Sequence, residues 1–152
     1  MKYLGKSDLD VFLQFLKEQS IKMVPCTEKE ISELEKLASK KLPQVYLNFM
    51  KKTGNEFRIF DGSSYTMEEL PILKEAANEL LEENDMSERL KDEAFVFFMH
   101  QGYQFAFFNL EEGENPPIYY YVEGEGLEKI IKKNDSFTDF LIDYYNTVES
   151  LI

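Results

Sequence analysis

The sequence has little cysteine, little histidine and no long apolar run. Its only cysteine, Cys26, cannot form a disulfide within the chain, which fits a reducing compartment. With only one histidine beside it, no zinc site of His and Cys ligands can be assembled, and we expect neither a metal nor a cofactor. No stretch approaches the ~20 apolar residues of a membrane span, and the N-terminal residues lack the apolar run of a signal peptide. We therefore expect a cytoplasmic protein.

Positive charge is also scarce. The chain has 17 Lys and Arg against 29 Asp and Glu, a formal net charge of -12. Phosphate backbones and anionic membranes would be repelled, so we expect no nucleic acid and no membrane as partner. An acidic surface accelerates the encounter with a basic protein, so a protein partner, basic in character, is the better expectation. The oligomeric state stays open.

The motifs of common enzyme classes are missing as well. There is no Gly-x-Ser-x-Gly elbow and no phosphate-binding Walker loop. Gly124-Glu125-Gly126 lacks the third glycine of a dinucleotide loop and is flanked by acids, which predicts a turn after a strand. His100 precedes Gln101-Gly102, which indicates a solvated turn residue. Cys26 precedes a helix cap and is predicted to pack on Ile31 as a hydrophobic staple. We expect no enzyme activity.

Helices are predicted in the first third of the chain. Ser7 is placed to cap a first helix with Asp10 at N3, and Thr27 with Glu30 forms a capping-box pattern. Pro43 suits the N1 position of a third helix, and Gly54-Asn55 suits the left-handed conformation that ends one. No repeat and no Pro/Gly/Ser-rich linker divides the sequence, so we expect a single domain over residues 1–152.

Strands are predicted in the middle of the chain and helices again near its end. Short strands are expected at Phe57–Phe60 and around Tyr65, and a helix at Pro71–Glu83. Longer strands and a final helix follow: Ala94–Met99 and Tyr103–Phe108 joined by a tight turn, Ile118–Val122, either a helix or a strand at Leu127–Ile131, and a helix that begins at Ser136 with Asp139. This order predicts an α+β fold in which N-terminal and C-terminal helices cover an antiparallel, meander-like sheet.

Acidic residues cluster on both sides of the predicted strand Ile118–Val122. If the loops at both ends faced one side, they would form an acidic rim for a protein partner. Tyr119, Tyr120 and Tyr121 must alternate between the two faces of the strand, so at least one of them could supply an exposed aromatic anchor. The strand length could equally hold the loops apart, and solubilising loops are the ordinary explanation. The acidic helix face with Glu79, Glu82, Glu83 and Asp85 competes as a docking surface. The predicted protein-binding residues are Glu111, Glu112, Glu114, Tyr119, Tyr121, Glu123 and Glu125.

Several motifs, in this order, resemble the SUKH superfamily, which includes fungal cell-wall-assembly regulators of the Smi/Knr type and bacterial immunity proteins. The resemblance covers roughly residues 27–141. Its most distinctive piece is Leu-Pro-x-x-Tyr-x-x-Phe at Leu42–Phe49. The other pieces are Thr27–Ile31 with Glu35, Gly54-Asn55, Phe95–Met99, Tyr103–Asn109, Pro116–Tyr120 and Ser136–Leu141.

The resemblance implies an α+β domain without catalytic residues. For bacterial members it implies the neutralisation of a cognate toxin, often a basic nuclease. Two alternatives stay open: a regulatory scaffold in cell-wall or stress signalling, as in the fungal relatives, and an enzyme with an unrecognised carboxylate site.

Overall fold

The computed structural model describes residues 1–124 and 129–152 of the chain, which form five α-helices and seven strands. In chain order they are α1 (Leu9–Glu18), β1 (Met23–Val24), α2 (Glu28–Leu37), α3 (Gln44–Thr53), β2 (Glu56–Phe57), β3 (Ser63–Ser64), α4 (Leu70–Glu83), β4 (Ala94–His100), β5 (Gln104–Asn109), β6 (Ile118–Val122), β7 (Ile131–Asn134) and α5 (Phe137–Val148). Within the described ranges, none of the helices is both long enough and apolar enough to cross a membrane.

The helix starts confirm two of the predicted caps and correct a third. Thr27 and Glu30 form the capping box, with each side chain bonded to the other residue's backbone N–H. Ser136 caps α5 by accepting from the Asp139 N–H at 3.0 Å. At α1 the prediction was wrong by one residue, because Asp8 is the cap and accepts from the Val11 N–H at 3.0 Å. The Ser7 hydroxyl instead donates to Asp139 on α5.

The ends of α3 also differ from the prediction. Pro43 is the N-cap residue rather than N1, since its ψ of 139° is still extended. Gly54 has φ -63° and ψ -16°, so the left-handed conformation expected there is absent. The need for glycine is steric, because a Cβ at this position would stand 2.1 Å from the Cys26 Sγ atom.

The strand expected at Phe57–Phe60 is shorter than predicted. Only Glu56–Phe57 is extended, and it pairs antiparallel with β1. Arg58–Phe60 forms a turn of 3₁₀ helix, which brings both Ile59 and Phe60 into the core. Two consecutive inward side chains are incompatible with the alternation of a strand, which is why the prediction failed here.

The main sheet has five antiparallel strands in the order β3-β4-β5-β6-β7. This confirms the predicted meander and the α+β fold class. On β5, Phe105 and Phe107 pair with Tyr121 and Tyr119 of β6, whereas Ala106 between them pairs with Tyr120. Of the segment Leu127–Ile131, Leu127 and Glu128 lie outside the described residues, and Ile131 begins β7.

The core lies between one face of the sheet, α3 and α5. Tyr46 of α3 packs its ring against Phe108 of β5 and Phe137 of α5. A bulge at Phe97 in β4 lets both Phe97 and Phe98 reach Phe140 of α5. Side chains on the opposite face of the sheet, such as Phe105 and Phe107, are buried as well. The helix α4 contacts β4. The sheet is therefore covered on both faces.

Candidate functional site

The loop Leu110–Pro117 between β5 and β6 carries three of the predicted binding residues and is called the acidic loop below. Its backbone is fixed at its start and in its middle: the Leu110 N–H donates to Glu93 O at 2.9 Å, and the Val45 N–H donates to Glu114 O at 3.1 Å. Gly113 has φ +97°, a left-handed conformation that a side chain would strain. The loop therefore presents its carboxylates from a defined backbone.

Asn115 ties the acidic loop to the first turn of α5. Its amide nitrogen donates to the Thr138 hydroxyl at 3.1 Å, and its oxygen accepts from the Thr138 N–H at 3.2 Å. Thr138 is fully buried. Because both polar ends of the amide are used, the loop cannot move away without leaving buried polar groups unpaired.

Two of the loop carboxylates already have partners. Glu111 forms an exposed ion pair with Lys40 at 2.6 Å, and this bond raises the pKa of the Lys40 ammonium. Glu112 accepts from the Tyr119 hydroxyl at 3.0 Å and from the Asn109 amide at 2.6 Å. Burial first, and then this bond to Glu112, raise the pKa of the Tyr119 phenol. Tyr119 thus braces the loop.

The Glu114 carboxylate makes no hydrogen bond or ion pair with any other described residue. It borders a cleft of about 280 Å³ that we call the acidic cleft. The cleft is lined by the ends of three helices and by the acidic loop: Ser7, Asp8, Leu9, Asp10, Gln44, Val45, Asn48, Glu114, Asn115 and Thr138. Asp8, Asp10 and Glu114 bring three carboxylates to one concave surface.

The helix ends do not cancel this negative charge. The N-termini of α1, α3 and α5 meet at the acidic cleft, and each contributes roughly half a positive charge. Lys52 offsets part of Asp10 through an ion pair of 3.2 Å in which both side chains are exposed. With three helix ends at about +0.5 each and the charge of Lys52, the three carboxylates keep an excess of only about half a negative charge. The Glu114 carboxylate, which has no partner among the described residues, is the group left to pair with a Lys or Arg side chain.

The remaining predicted residues lie away from the acidic loop. Tyr121 is 3% exposed and packs against Phe105, so a partner could touch it only after rearrangement. Glu123 is exposed in the turn after β6. The five residues of β6 separate it from the acidic loop by roughly 17 Å. Glu125 lies outside the described residues. No single rim around β6 is formed by the described part of the predicted set.

The exposed face of α4 is a second acidic surface. Glu79, Glu82 and Glu83 of α4 are exposed, as is Asp85, which follows the end of the helix. None of them forms an ion pair with another described residue. Unlike the acidic cleft this surface is convex, so it surrounds no inserted side chain.

Cys26 and His100, the two residues considered for catalysis, lie among groups that give them structural roles. Burial first, and then the negative charge of Glu30, raise the pKa of the Cys26 thiol to about 12, so the nucleophilic thiolate is rare at neutral pH. The Nδ1 atom of His100 lies 2.7 Å from the Ser63 hydroxyl. Among residues 1–124 and 129–152, no group of three or more His, Cys, Asp or Glu is arranged to hold a metal ion.

A family model described as SMI1-KNR4 cell-wall matches residues 28–141, which is most of the chain. The chain belongs to the SUKH superfamily. No curated protein matches it. In this SUKH domain the match begins at the first residue of α2 and ends inside α5. It therefore includes the acidic loop and all five strands of the main sheet, β3 to β7.

The acidic cleft combines residues inside and outside that match. Gln44 and Glu114 lie within the SUKH segment, whereas Asp8 and Asp10 belong to α1, which precedes it. Sequence reasoning found Glu114 through the run of acids but missed the two aspartates. Only Asp10 was assigned a role, as the N3 residue of a first helix, and no local pattern shows that α1 begins beside a loop about 100 residues later.

A second concave site was also missed. A cavity of about 530 Å³ lies between the C-terminal half of α5 and the core face of the sheet, and we call it the α5 groove. Its floor includes Ala106 and Tyr120. The one available signal was the single alanine in the Phe-rich strand Gln104–Asn109.

Proposed function

We propose that this SUKH domain is a non-catalytic, immunity-type binding module that neutralises a cognate basic toxin. The observation that carries the proposal is the acidic cleft, whose lining includes Asp8, Asp10 and Glu114, the last with a carboxylate that has no partner among the described residues. Membership in the superfamily supports the protein-binding role, and the structure supplies a surface of the matching charge.

The rigidity of the acidic loop favours binding. Association loses affinity when loops must be ordered at the interface. Here the backbone bond from Val45 and the two bonds between Asn115 and Thr138 order the loop before any partner arrives. The backbone that carries Glu114 is therefore presented without an additional ordering penalty.

The charge of the whole molecule favours fast encounter. A net charge of -12 attracts a basic protein over distances comparable with the Debye length, about 10 Å at 0.1 M salt. A toxin that binds nucleic acid needs a positive cleft for its substrate. Carboxylates that enter such a cleft compete directly for the groups that would hold phosphate, so binding there blocks the toxin's activity.

The test is binding to the toxin encoded beside this protein, with the association rate followed over a range of salt. The double variant Asp10→Asn with Glu114→Gln removes two cleft charges and keeps the side-chain shapes. We expect it to slow association at low salt by roughly tenfold. The matched control, Glu79→Gln with Glu83→Gln on α4, removes the same charge from the other acidic surface and should change the rate much less.

The outcomes distinguish binding at the acidic cleft from binding at α4 and from a regulatory role. Absence of a complex at low salt contradicts the proposal. If the α4 variant slows association more than the cleft variant does, the toxin docks on α4 and the acidic cleft is not the binding site. Capture of several endogenous proteins without the toxin supports instead a regulatory scaffold.

A further inference from the structure

The α5 groove is a second concave surface, separate from the acidic cleft. Its floor is closed, because Phe98, Ala106 and Phe140 are almost fully buried. The volume of about 530 Å³ lies above this floor, beside the half-buried side chains of Tyr120 and Val148. An apolar cavity of about 150 Å³ already holds a molecule of benzene, so the groove has room for an inserted side chain.

Two exposed apolar residues border the groove. Leu151 is 83% exposed and Ile152 is 45% exposed, and both belong to the lining together with the half-buried Tyr144. They lie at the end of a turn of 3₁₀ helix, Glu149–Leu151, that follows α5. Single exposed apolar residues are ordinary on protein surfaces, whereas a contiguous patch of them marks an interaction site. Because Leu151 and Ile152 continue the half-buried lining, they form such a patch.

Four charged residues line the groove together with these apolar ones, and their charges cancel. Arg58 pairs with Asp61 at 3.4 Å, and Lys133 pairs with Asp143 at 3.6 Å. All four side chains are exposed. An apolar centre with a polar rim is the usual anatomy of a protein–protein interface.

Lys133 reaches the rim through a bulge in β7. The register of β7 on β6 shifts between Lys132 and Asn134, so Lys133 is the extra residue. Its ammonium lies 5.3 Å from the centroid of the Tyr120 ring. This contact holds the Tyr120 ring beside the opening of the groove.

The neutral lining distinguishes the α5 groove from the acidic chain as a whole. The chain carries a net charge of -12, whereas the described lining residues carry two positive and two negative charges. Like charges that face one another across an interface are costly. Two copies of this chain repel each other through their net charge, and at the α5 groove they can meet without opposing like charges. A basic toxin, by contrast, gains no attraction from this surface.

The patch also carries both halves of a contact with itself. In a two-fold dimer the same surface is used by both copies, so a projecting group must lie next to a recess that can receive it. Leu151 projects at the rim of the groove, and the recess beside Tyr120 and Val148 adjoins it. A second copy related by a two-fold axis can therefore place each leucine at the recess of the other.

We propose that the α5 groove is the interface of a homodimer, in which Leu151 of each copy inserts into the groove of the other, against Tyr120 and Val148. The dimer is independent of the toxin-binding role, because the α5 groove and the acidic cleft have no lining residue in common. Either proposal can fail while the other stands.

Analytical ultracentrifugation of the full chain tests the dimer. Small contacts are weak, so we expect the mean mass to rise from one chain towards two between about 10 µM and about 1 mM protein. Raising NaCl from about 10 to about 200 mM should strengthen the dimer, because salt screens the repulsion between two chains of charge -12. This sign is opposite to the one expected for toxin association. A chain that stays monomeric at the highest protein and salt concentrations overturns the proposal.

A matched pair of variants locates the contact. Leu151→Asn removes the inserting apolar group without changing the charge, and we expect it to weaken dimerisation roughly tenfold, as truncation of an interface anchor does. Leu4→Asn is the same change at a residue that is 91% exposed and lies outside the groove, and it should leave the dimer unchanged. Both residues are exposed, so both variants should fold. Dimerisation of Leu151→Asn at the wild-type level contradicts the interface.

Mixed samples show whether the leucine enters the other copy. A chain with a nitroxide attached at Ser150→Cys, in a Cys26→Ala background, is mixed with ¹⁵N-labelled chain that carries no nitroxide. We expect broadening of the Tyr120 and Val148 amides, which only a neighbouring copy can cause. A nitroxide at Ser87→Cys, an exposed position outside the groove, should not broaden them. Broadening at a different surface by the first label contradicts the proposal.

Toxin binding provides the last comparison. Leu151→Asn leaves the acidic cleft intact, so it should associate with the toxin at the wild-type rate while its dimer is weakened. If this variant slows toxin association and Leu4→Asn does not, the toxin occupies the α5 groove and the homodimer proposal is wrong.

Discussion

At the residue scale, the end of α3 shows how one contact determines which residue a position accepts. Gly54 is buried with Cys26 and Met50 close to the place of a Cβ, and its backbone is helical rather than left-handed. The sequence indicates a glycine at a helix end, which usually means a positive φ. The actual constraint comes from Cys26, 28 residues earlier, and only the folded chain reveals it.

We predict that Gly54→Ala destabilises the fold by about 1–3 kcal/mol, the usual range for overpacking a tight site. The new methyl group would stand 2.1 Å from the Cys26 Sγ and 2.8 Å from the Met50 carbonyl oxygen. Urea unfolding measures the change. In a Cys26→Ala background the cost should fall, since the nearest atom is gone. An unchanged cost in that background would assign the clash to the Met50 carbonyl instead.

The raised thiol pKa of Cys26 predicts slow alkylation in the folded protein. With a pKa of about 12, the thiolate fraction at pH 8 is on the order of a thousandfold below that of an unfolded thiol with pKa near 8.5. Iodoacetamide should therefore react far more slowly in buffer than in urea. Because the folded state holds the thiol proton more tightly, the free energy of unfolding should decrease as pH rises above roughly 9.

The control for this prediction is the pH profile of alkylation. In the folded protein the rate should still increase between pH 9 and 10, where an ordinary thiol approaches its plateau. A plateau near pH 9 in the native state would contradict the buried, proton-retaining environment of Cys26.

At the element scale, periodicity and caps predicted most of the fold. The helices and the strands β4, β5 and β6 lie close to their expected positions, since each has a long, consistent pattern. The bulges at Phe97 and Lys133 could not be predicted, because the register of a pair depends on both strands and on the helix above them. These bulges shape the core and the α5 groove.

The acidic loop was predicted as a binding element from its acidic composition. Its rigidity comes instead from the hydrogen bonds between Asn115 and Thr138. We predict that Asn115→Ala destabilises the fold by about 1–3 kcal/mol, because it leaves the Thr138 groups without partners in a buried site. It should also slow toxin association by disordering the loop. Chemical unfolding and binding kinetics measure the two effects.

Two further variants separate the causes. Asn115→Asp keeps the acceptor for the Thr138 N–H and should retain part of the stability. Glu111→Gln removes only an exposed ion pair with Lys40, and such pairs contribute little to stability. If Asn115→Ala were no more destabilising than Glu111→Gln, the loop would not be anchored through Thr138.

At the scale of the whole molecule, the charge imbalance acts on the fold and on the complex in opposite directions. Twelve excess negative charges repel one another within the folded chain and attract a basic partner outside it. The ion pairs of the described residues are mainly exposed, such as Lys22 with Glu56 and Lys132 with Asp135, and such pairs contribute little. Self-repulsion should therefore be the larger electrostatic effect on stability.

We predict that raising NaCl from 10 to 200 mM increases the melting temperature of the free protein and slows its association with the toxin. The Debye length falls over this range from about 30 Å to below 10 Å, which screens both the repulsion within the chain and the attraction between the partners. Choline chloride should reproduce both effects, because screening does not depend on a particular cation. A melting temperature that fell with salt would mean that local ion pairs outweigh the net charge. In that case specific contacts, and not self-repulsion, would dominate the electrostatic contribution to stability, and the association rate alone would report the attraction of the net charge for a basic partner.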